Sequence, residues 1–198
     1  MSSELIKNEA ASNIFAVYAK AFRNYFRFSG RTCRYDYWAF TLVNLLVSLL
    51  LSIVGSIGSF LAYMSMIYGW LVLVPSTAIQ ARRLHDVNKS FSKWFILPLV
   101  LLFLLIFISR FLGQAGSGVI LILAGLFFVF WGITLIVFTC RKGNPESNEY
   151  GEPIVESQSQ DKKAKWLIFL LCILPAILLI CALIVGGISG YLSRLWDV

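Results

Sequence analysis

Long stretches without a single charged residue divide this chain. No Asp, Glu, Lys or Arg occurs from Tyr37 to Ala81, from Trp94 to Ser109, from Phe111 to Cys140, or from Trp166 to Ser193. A helix needs about 20 apolar residues to cross a hydrocarbon core of roughly 30 Å. The first stretch is long enough for two spans, and Gly55-Ser56-Ile57-Gly58-Ser59 is the glycine and serine cluster near its middle. The other stretches hold one span each. The pattern predicts five spans, at about 37–56, 60–80, 94–112, 118–139 and 166–190. Helices are expected over strands because lipid forces each backbone donor and acceptor to be satisfied within its own segment, and these runs do not alternate polar with apolar.

Ahead of the first span the period changes. Ile14, Val17, Tyr18, Ala21, Phe22, Tyr25 and Phe26 recur at helical spacing, while Lys20, Arg23 and Arg27 fall on the other side. This predicts an amphipathic helix over about 13–28, with Ser12 as N-cap and Ser29-Gly30 as its end. Beside a membrane span, such a helix is expected to lie in the interface. The chain therefore divides into an N-terminal segment (1–36), a four-span domain (37–139), a polar loop (140–165), a fifth span (166–190) and a tail (191–198).

Composition agrees with the pattern. Apolar residues make up 59% and charged residues 14%, against roughly 25% charged in soluble domains. The distribution of charge matters more than the net +7. Basic residues crowd the N-terminal segment (Lys7, Lys20, Arg23, Arg27, Arg31, Arg34), the loop after span two (Arg82, Arg83, Lys89, Lys93) and the loop after span four (Arg141, Lys142, Lys162, Lys163, Lys165). The other side of a five-span arrangement receives Arg110 and Arg194 alone. The positive-inside rule then puts the N-terminus in the cytoplasm and the C-terminus outside. The same asymmetry explains the positive charge without nucleic acid and points to anionic membrane lipid as the partner.

Three polar stretches meet the cytoplasmic edge in this topology. They are Phe28-Ser29-Gly30-Arg31-Thr32-Cys33-Arg34-Tyr35-Asp36-Tyr37-Trp38, then Ala81-Arg82-Arg83-Leu84-His85-Asp86-Val87-Asn88-Lys89-Ser90, then a turn-rich run from Arg141 to Pro153. With Trp94 after the second, these stretches resemble a widespread bacterial inner-membrane family, a domain of unknown function numbered eight hundred and five. The resemblance covers about residues 22–153, and Arg-Arg-Leu-His-Asp at the end of span two is its most specific part. It implies a four-span core and an inner-membrane location, to which span five is an addition. Phe91-Ser92-Lys93-Trp94 departs from the Gly-Trp that the family usually has there. The resemblance implies no activity.

The candidate site is the cluster Arg31, Arg34, Asp36, Arg82, Arg83, His85 and Asp86. Guanidinium groups at headgroup depth offer planar paired donors suited to phosphate. If the helix runs past Gln80, Arg82 and Asp86 form an i, i+4 pair, and Asp36 and Asp86 are the nearest carboxylates for the arginines. The bland alternative is a network that only pins helix ends together. His85 with Cys33 as nucleophile is an acid/base reading with no orienting third group. Four cysteines and one histidine without metal-ligand spacing give no zinc site, and no cofactor is implied. A reducing cytosol argues against disulfides.

The spans carry small polar groups (Thr41, Asn44, Ser48, Ser76, Thr77, Thr134) but no ionisable residue except Arg110 near an end. That pattern argues against a proton- or ion-coupled pump. Gly186-x-x-x-Gly190 permits a close homo-oligomer contact. The expectation is an all-α, polytopic, non-enzymatic inner-membrane protein whose cluster binds an anionic headgroup or a protein partner. A transporter or channel component and a membrane-embedded lipid-modifying enzyme stay open as alternatives.

Overall fold

The computed structural model of the chain describes residues 13–55, 59–109, 111, 114–154, 156–173 and 175. Helix α1 is Ile14–Arg23, α2 is Arg34–Gly55 and α3 is Ser59–Asp86. A π-helical turn, Ser92–Ile96, runs into α4 (Leu97–Ser109), followed by α5 (Gln114–Cys140) and α6 (Gln158–Ile168), which passes into a second π-turn, Phe169–Ile173. Four segments are long and apolar enough to cross a membrane: Arg34–Gly55, Tyr63–Asp86, Ser92–Ser109 and Gly118–Cys140. They form two hairpins, α2 with α3 and α4 with α5. The outward faces of both are covered with exposed Leu, Ile, Val and Phe, Leu45, Leu49, Phe103 and Phe130 among them. Such a surface is stable against lipid and unstable against water.

Several boundaries differ from the sequence reading, among them the start of α6 at Gln158, eight residues before the expected 166. Helix α2 begins three residues early, at Arg34, and α3 runs six residues past 80 to Asp86, so that Arg-Arg-Leu-His-Asp is helical. The stop is chemical. Asn88 takes the left-handed conformation at φ 56°, and the Lys89 and Asn88 amides fold back onto the Leu84 and His85 carbonyls, a C-cap for which asparagine is suited. Helix α1 is shorter than expected and ends at Arg23. Its N-cap is Asn13, whose side chain accepts from the Phe15 amide at 3.0 Å, while Ser12 lies outside the described residues. Much of span five (174 and 176–190), the turn at 56–58, Arg110 and the Gly186/Gly190 pair also lie outside them.

The apolar stripe of α1 packs on the first hairpin. Val17 and Ala21 are buried, Val17 in a cluster with Tyr35, Trp38, Ala39, Ala164 and Leu167, and Ala21 in one with Phe40, Val72 and Ile79. Proline explains part of this docking. Pro75, inside α3, has no amide for the Leu71 carbonyl four residues earlier. The Tyr25 hydroxyl donates to that carbonyl at 2.7 Å. The second hairpin uses the same device. Pro98 leaves the Trp94 carbonyl without its helical donor, and the Trp131 indole of α5 donates to it at 2.9 Å. In lipid an unmet carbonyl has no water to turn to, so each aromatic side chain is both a packing contact and a repair.

The candidate functional site

At the polar end of the hairpins, α2 starts, α3 ends and α5 ends, and the cluster assembles there around Asp86. One carboxylate oxygen accepts from Arg31 Nε at 2.9 Å and the other from Arg83 Nη1. Arg31 is not helical; it lies in the connection before α2. Gly30, at φ 90°, turns the chain there in a conformation open to glycine. The remaining Arg31 donors reach the backbone: Nη1 to the Glu146 and Gly151 carbonyls, and Nη2 to those of Asp86 and Asn144. All five N–H groups of this guanidinium are engaged. Arg83 is fully buried. Its Nε donates to Thr139 O at 3.1 Å, Nη1 to Thr32 O, and Nη2 to Arg141 O. Carbonyls at a helix C-terminus, such as Thr139 O, have no partner within their own helix, and a cation is the favourable group beside them.

The loop after α5 closes over the carboxylate. The Asn144 amide donates to Asp86 O at 2.8 Å. A Cβ at Gly143 would stand 2.2 Å from the Asp86 carboxylate, so only glycine permits this approach. Gly151, at φ 130°, shapes the turn that offers its carbonyl to Arg31. His85 is held by the same loop. Its ring stacks on Tyr150 at 3.8 Å between centroids, and Nδ1 donates to Gly30 O at 3.2 Å.

Arg34 belongs to a neighbouring knot. Glu156 accepts from the Arg34 amide at 2.6 Å and from the Tyr35 amide, capping the start of α2, and also holds the Arg34 guanidinium at 2.9 Å. Asp161, on α6, takes the same guanidinium. The nearby Lys165 ammonium holds the Asp161 carboxyl below the usual carboxylate range. Neither Glu156 nor Asp161 was among the sequence candidates. A cavity of 430 Å³ opens between this knot and the loop, lined by Asp86, Asn144, Glu156 and Asp161 among others; those three carboxylates already hold arginines.

Two cluster members face elsewhere. Asp36 is paired with Lys20 of α1 at 2.9 Å, and the lysine is mostly exposed. The i, i+4 pair of Arg82 with Asp86 does not form; Asp86 is held by Arg83, three residues away, and by Arg31. A step of one residue turns a helix by about 100°, and Arg82 points back along α3 so that its Nε donates to Ala78 O at 3.2 Å. Among the described residues no carboxylate bonds Arg82, and the charges that bear most on it are Arg27 and then Asp36.

The acid/base reading of Cys33 and His85 loses its chemistry. Burial, reinforced by the Asp36 charge, pushes the Cys33 thiol up to about 12, so it stays protonated at neutral pH and is a poor nucleophile. Cys33, Cys140 and Cys172 are free thiols. Among the described residues no group of three His, Cys, Asp or Glu side chains is arranged to hold a metal.

The family described as Protein of unknown function (DUF805) matches residues 25–152, from just before the Arg31 connection to just past the Gly151 turn. Inner membrane protein YhaI of Escherichia coli is 34% identical over 135 residues, which are 68% of this chain and 91% of that protein. Inner membrane protein YhaH of Escherichia coli is 32% identical over 139 residues, covering 68% and 92%. No solved structure matches the chain. With its membrane-length helices and the polar end that this match spans, the chain is an integral membrane protein belonging to the DUF805 family.

Proposed function

We propose that this chain is a non-enzymatic inner-membrane protein, with its N-terminus in the cytoplasm, that binds the phosphate of an anionic lipid headgroup on Arg82 and Arg27. The observation that carries this is the state of Arg82. It is only 7% exposed, its terminal guanidinium nitrogens make no hydrogen bond among the described residues, and the charge that bears most on it is the like charge of Arg27, ahead of the Asp36 carboxylate. A guanidinium whose two terminal nitrogens are uncommitted presents paired donors to an anion, and the Arg27 charge adds to the positive field around it. Arg31 and Arg83 cannot serve in this way, because every guanidinium nitrogen of each is engaged within the protein, and Arg34 is already paired with Glu156 and Asp161. The excess of basic residues on the loops at this end supports the cytoplasmic orientation, where anionic lipid is concentrated.

The test is lipid retention. Full-length protein extracted from vesicles of phosphatidylcholine with phosphatidylglycerol is delipidated stepwise, and bound lipid is measured by mass spectrometry. Arg82→Gln should reduce phosphatidylglycerol retention about tenfold, the scale of one charged hydrogen-bonded contact, and Arg27→Gln by less. Equal retention by wild type and Arg82→Gln would overturn the proposal.

A further inference from the structure

A second cavity, of 260 Å³, lies within the membrane-spanning part of the protein, between the first hairpin and the π-turn that leads into α4. Its wall includes Thr41 and Asn44 of α2, Ser76, Thr77 and Gln80 of α3, and Phe95. The residues are uncharged, and several are polar. Such groups are expensive to leave without partners in lipid. Some are satisfied internally: the Thr41 hydroxyl donates to Tyr37 O, the Thr77 hydroxyl to Leu73 O and Val74 O, and Asn44 Oδ1 accepts from the Tyr68 hydroxyl at 2.7 Å.

Others are not. Gln80 is 8% exposed, yet its amide makes no hydrogen bond among the described residues. Among the described residues no buried side-chain nitrogen or oxygen is sealed away without a partner, so the Gln80 amide is reached through the cavity it lines. Asn44 Nδ2 and the Ser76 hydroxyl are likewise uncommitted. Three donors thus face one space from two helices. The part of the chain that leads toward residue 174 runs along the opposite face of α2, against Trp38 and Ala39.

We infer that this cavity binds the glycerol ester region of a membrane phospholipid, with the Gln80 and Asn44 amides and the Ser76 hydroxyl donating to the ester carbonyl oxygens. Depth and chemistry both favour this ligand. At 1.5 Å rise per residue, Gln80, Asn44 and Ser76 lie roughly 9–15 Å in from the polar helix ends, deeper than Arg82 at roughly 6 Å, as a lipid's esters lie deeper than its phosphate. An ester group is uncharged and only accepts hydrogen bonds, which complements uncharged donors. Phe40, Ile79 and Phe95 supply apolar wall for the first carbons of the acyl chains. The site is separate from Arg82 and does not depend on the headgroup reading.

The experiment compares two phosphatidylcholines with the same headgroup and chains, one ester-linked and one ether-linked. The ether form keeps the shape and loses the carbonyl oxygens. Full-length protein is reconstituted with an equal mixture, extracted, and its retained lipid measured by mass spectrometry. Wild type should retain the ester form roughly three- to tenfold over the ether form, the scale of one or two net hydrogen bonds. Gln80→Leu should remove most of that preference while raising the melting temperature in lipid-free detergent, since it deletes an unmatched polar group; Asn44→Leu tests the second donor. Phosphatidylglycerol retention through Arg82 should be unchanged in Gln80→Leu. No ester preference in wild type, a preference untouched by Gln80→Leu, or a cavity holding water alone would overturn the inference.

Discussion

Arg82 and Arg83 are adjacent in sequence, on the same helix and at the same depth, yet their environments are opposite. Arg83 joins three segments: it holds Asp86, the end of α5 and the connection before α2. Arg82 holds one carbonyl of its own helix, and no carboxylate among the described residues bonds it. The difference teaches that a cluster of charges near a membrane surface need not be one site. In this molecule it divides into a lock, built from Arg31, Arg83 and Asp86, and an open guanidinium, that of Arg82. A buried charge whose donors are all engaged stabilises geometry, and one with donors to spare is available to a ligand.

The sharpest way to break the comparison is to remove the carboxylate at the centre of the lock. Asp86→Ala leaves Arg31 and Arg83 buried with no counter-charge, and loss of one partner of a buried pair costs about 3–5 kcal/mol. Unfolding in detergent followed by circular dichroism should show that loss, together with faster proteolysis of the 141–154 loop. A small loss, like that of an exposed pair, would mean that Asp86 does not hold the three segments together.

Gly143→Ala should come next. The added methyl group meets the Asp86 carboxylate at a distance no real contact tolerates, so the loop must move off its partner. A destabilisation of about 1–3 kcal/mol is expected, with the His85–Tyr150 stack disturbed and visible in the tyrosine fluorescence. An unaffected protein would show that the loop does not rest on Asp86.

Cys33, one residue before Arg34, reports on the same region through pH. Its folded thiol lies near 12 against an ordinary 9.0. The folded state therefore keeps a proton that the unfolded state releases as pH rises. The linked stability is full below pH 9 and declines from there toward pH 12. Alkylation of Cys33 by a neutral maleimide at pH 8 should be slow in the native protein and fast after Asp86→Ala. Fast labelling of the native protein would contradict the burial.

Outside the lock, Lys20→Ala should have the smallest effect. The Lys20–Asp36 pair is largely solvated on the lysine side, and exposed pairs contribute about 0–1 kcal/mol.

Four membrane helices were legible in the sequence because lipid imposes a simple rule: a span of this length tolerates little charge. Their ends were less legible. Pro75 and Pro98 look like interruptions, and only the positions of Tyr25 and Trp131 in space show how the orphaned carbonyls are met. The cluster was located from the clustering of Arg, Asp and His at helix ends, but its pairing was not. Helical spacing suggested Arg82 with Asp86, whereas a chain segment 55 residues away, carrying Arg31, takes that carboxylate. Glu156 was missed for a similar reason, since it caps α2 from 122 residues downstream. The glycines were the available signal: those at 30 and 151 turn the chain at positive φ, and the one at 143 lets the loop close on Asp86.

The division into lock and open arginine is tested most directly by the melting temperatures of Arg82→Gln and Arg83→Gln in nanodiscs of phosphatidylcholine, with and without phosphatidylglycerol. A ligand that binds only the folded state raises its stability. Arg83→Gln should lower the melting temperature in both lipids while keeping the increment from phosphatidylglycerol. Arg82→Gln should match wild type in phosphatidylcholine and lose the increment. If Arg82→Gln is as damaging as Arg83→Gln in phosphatidylcholine, or keeps the full increment, the two arginines are not divided between structure and lipid.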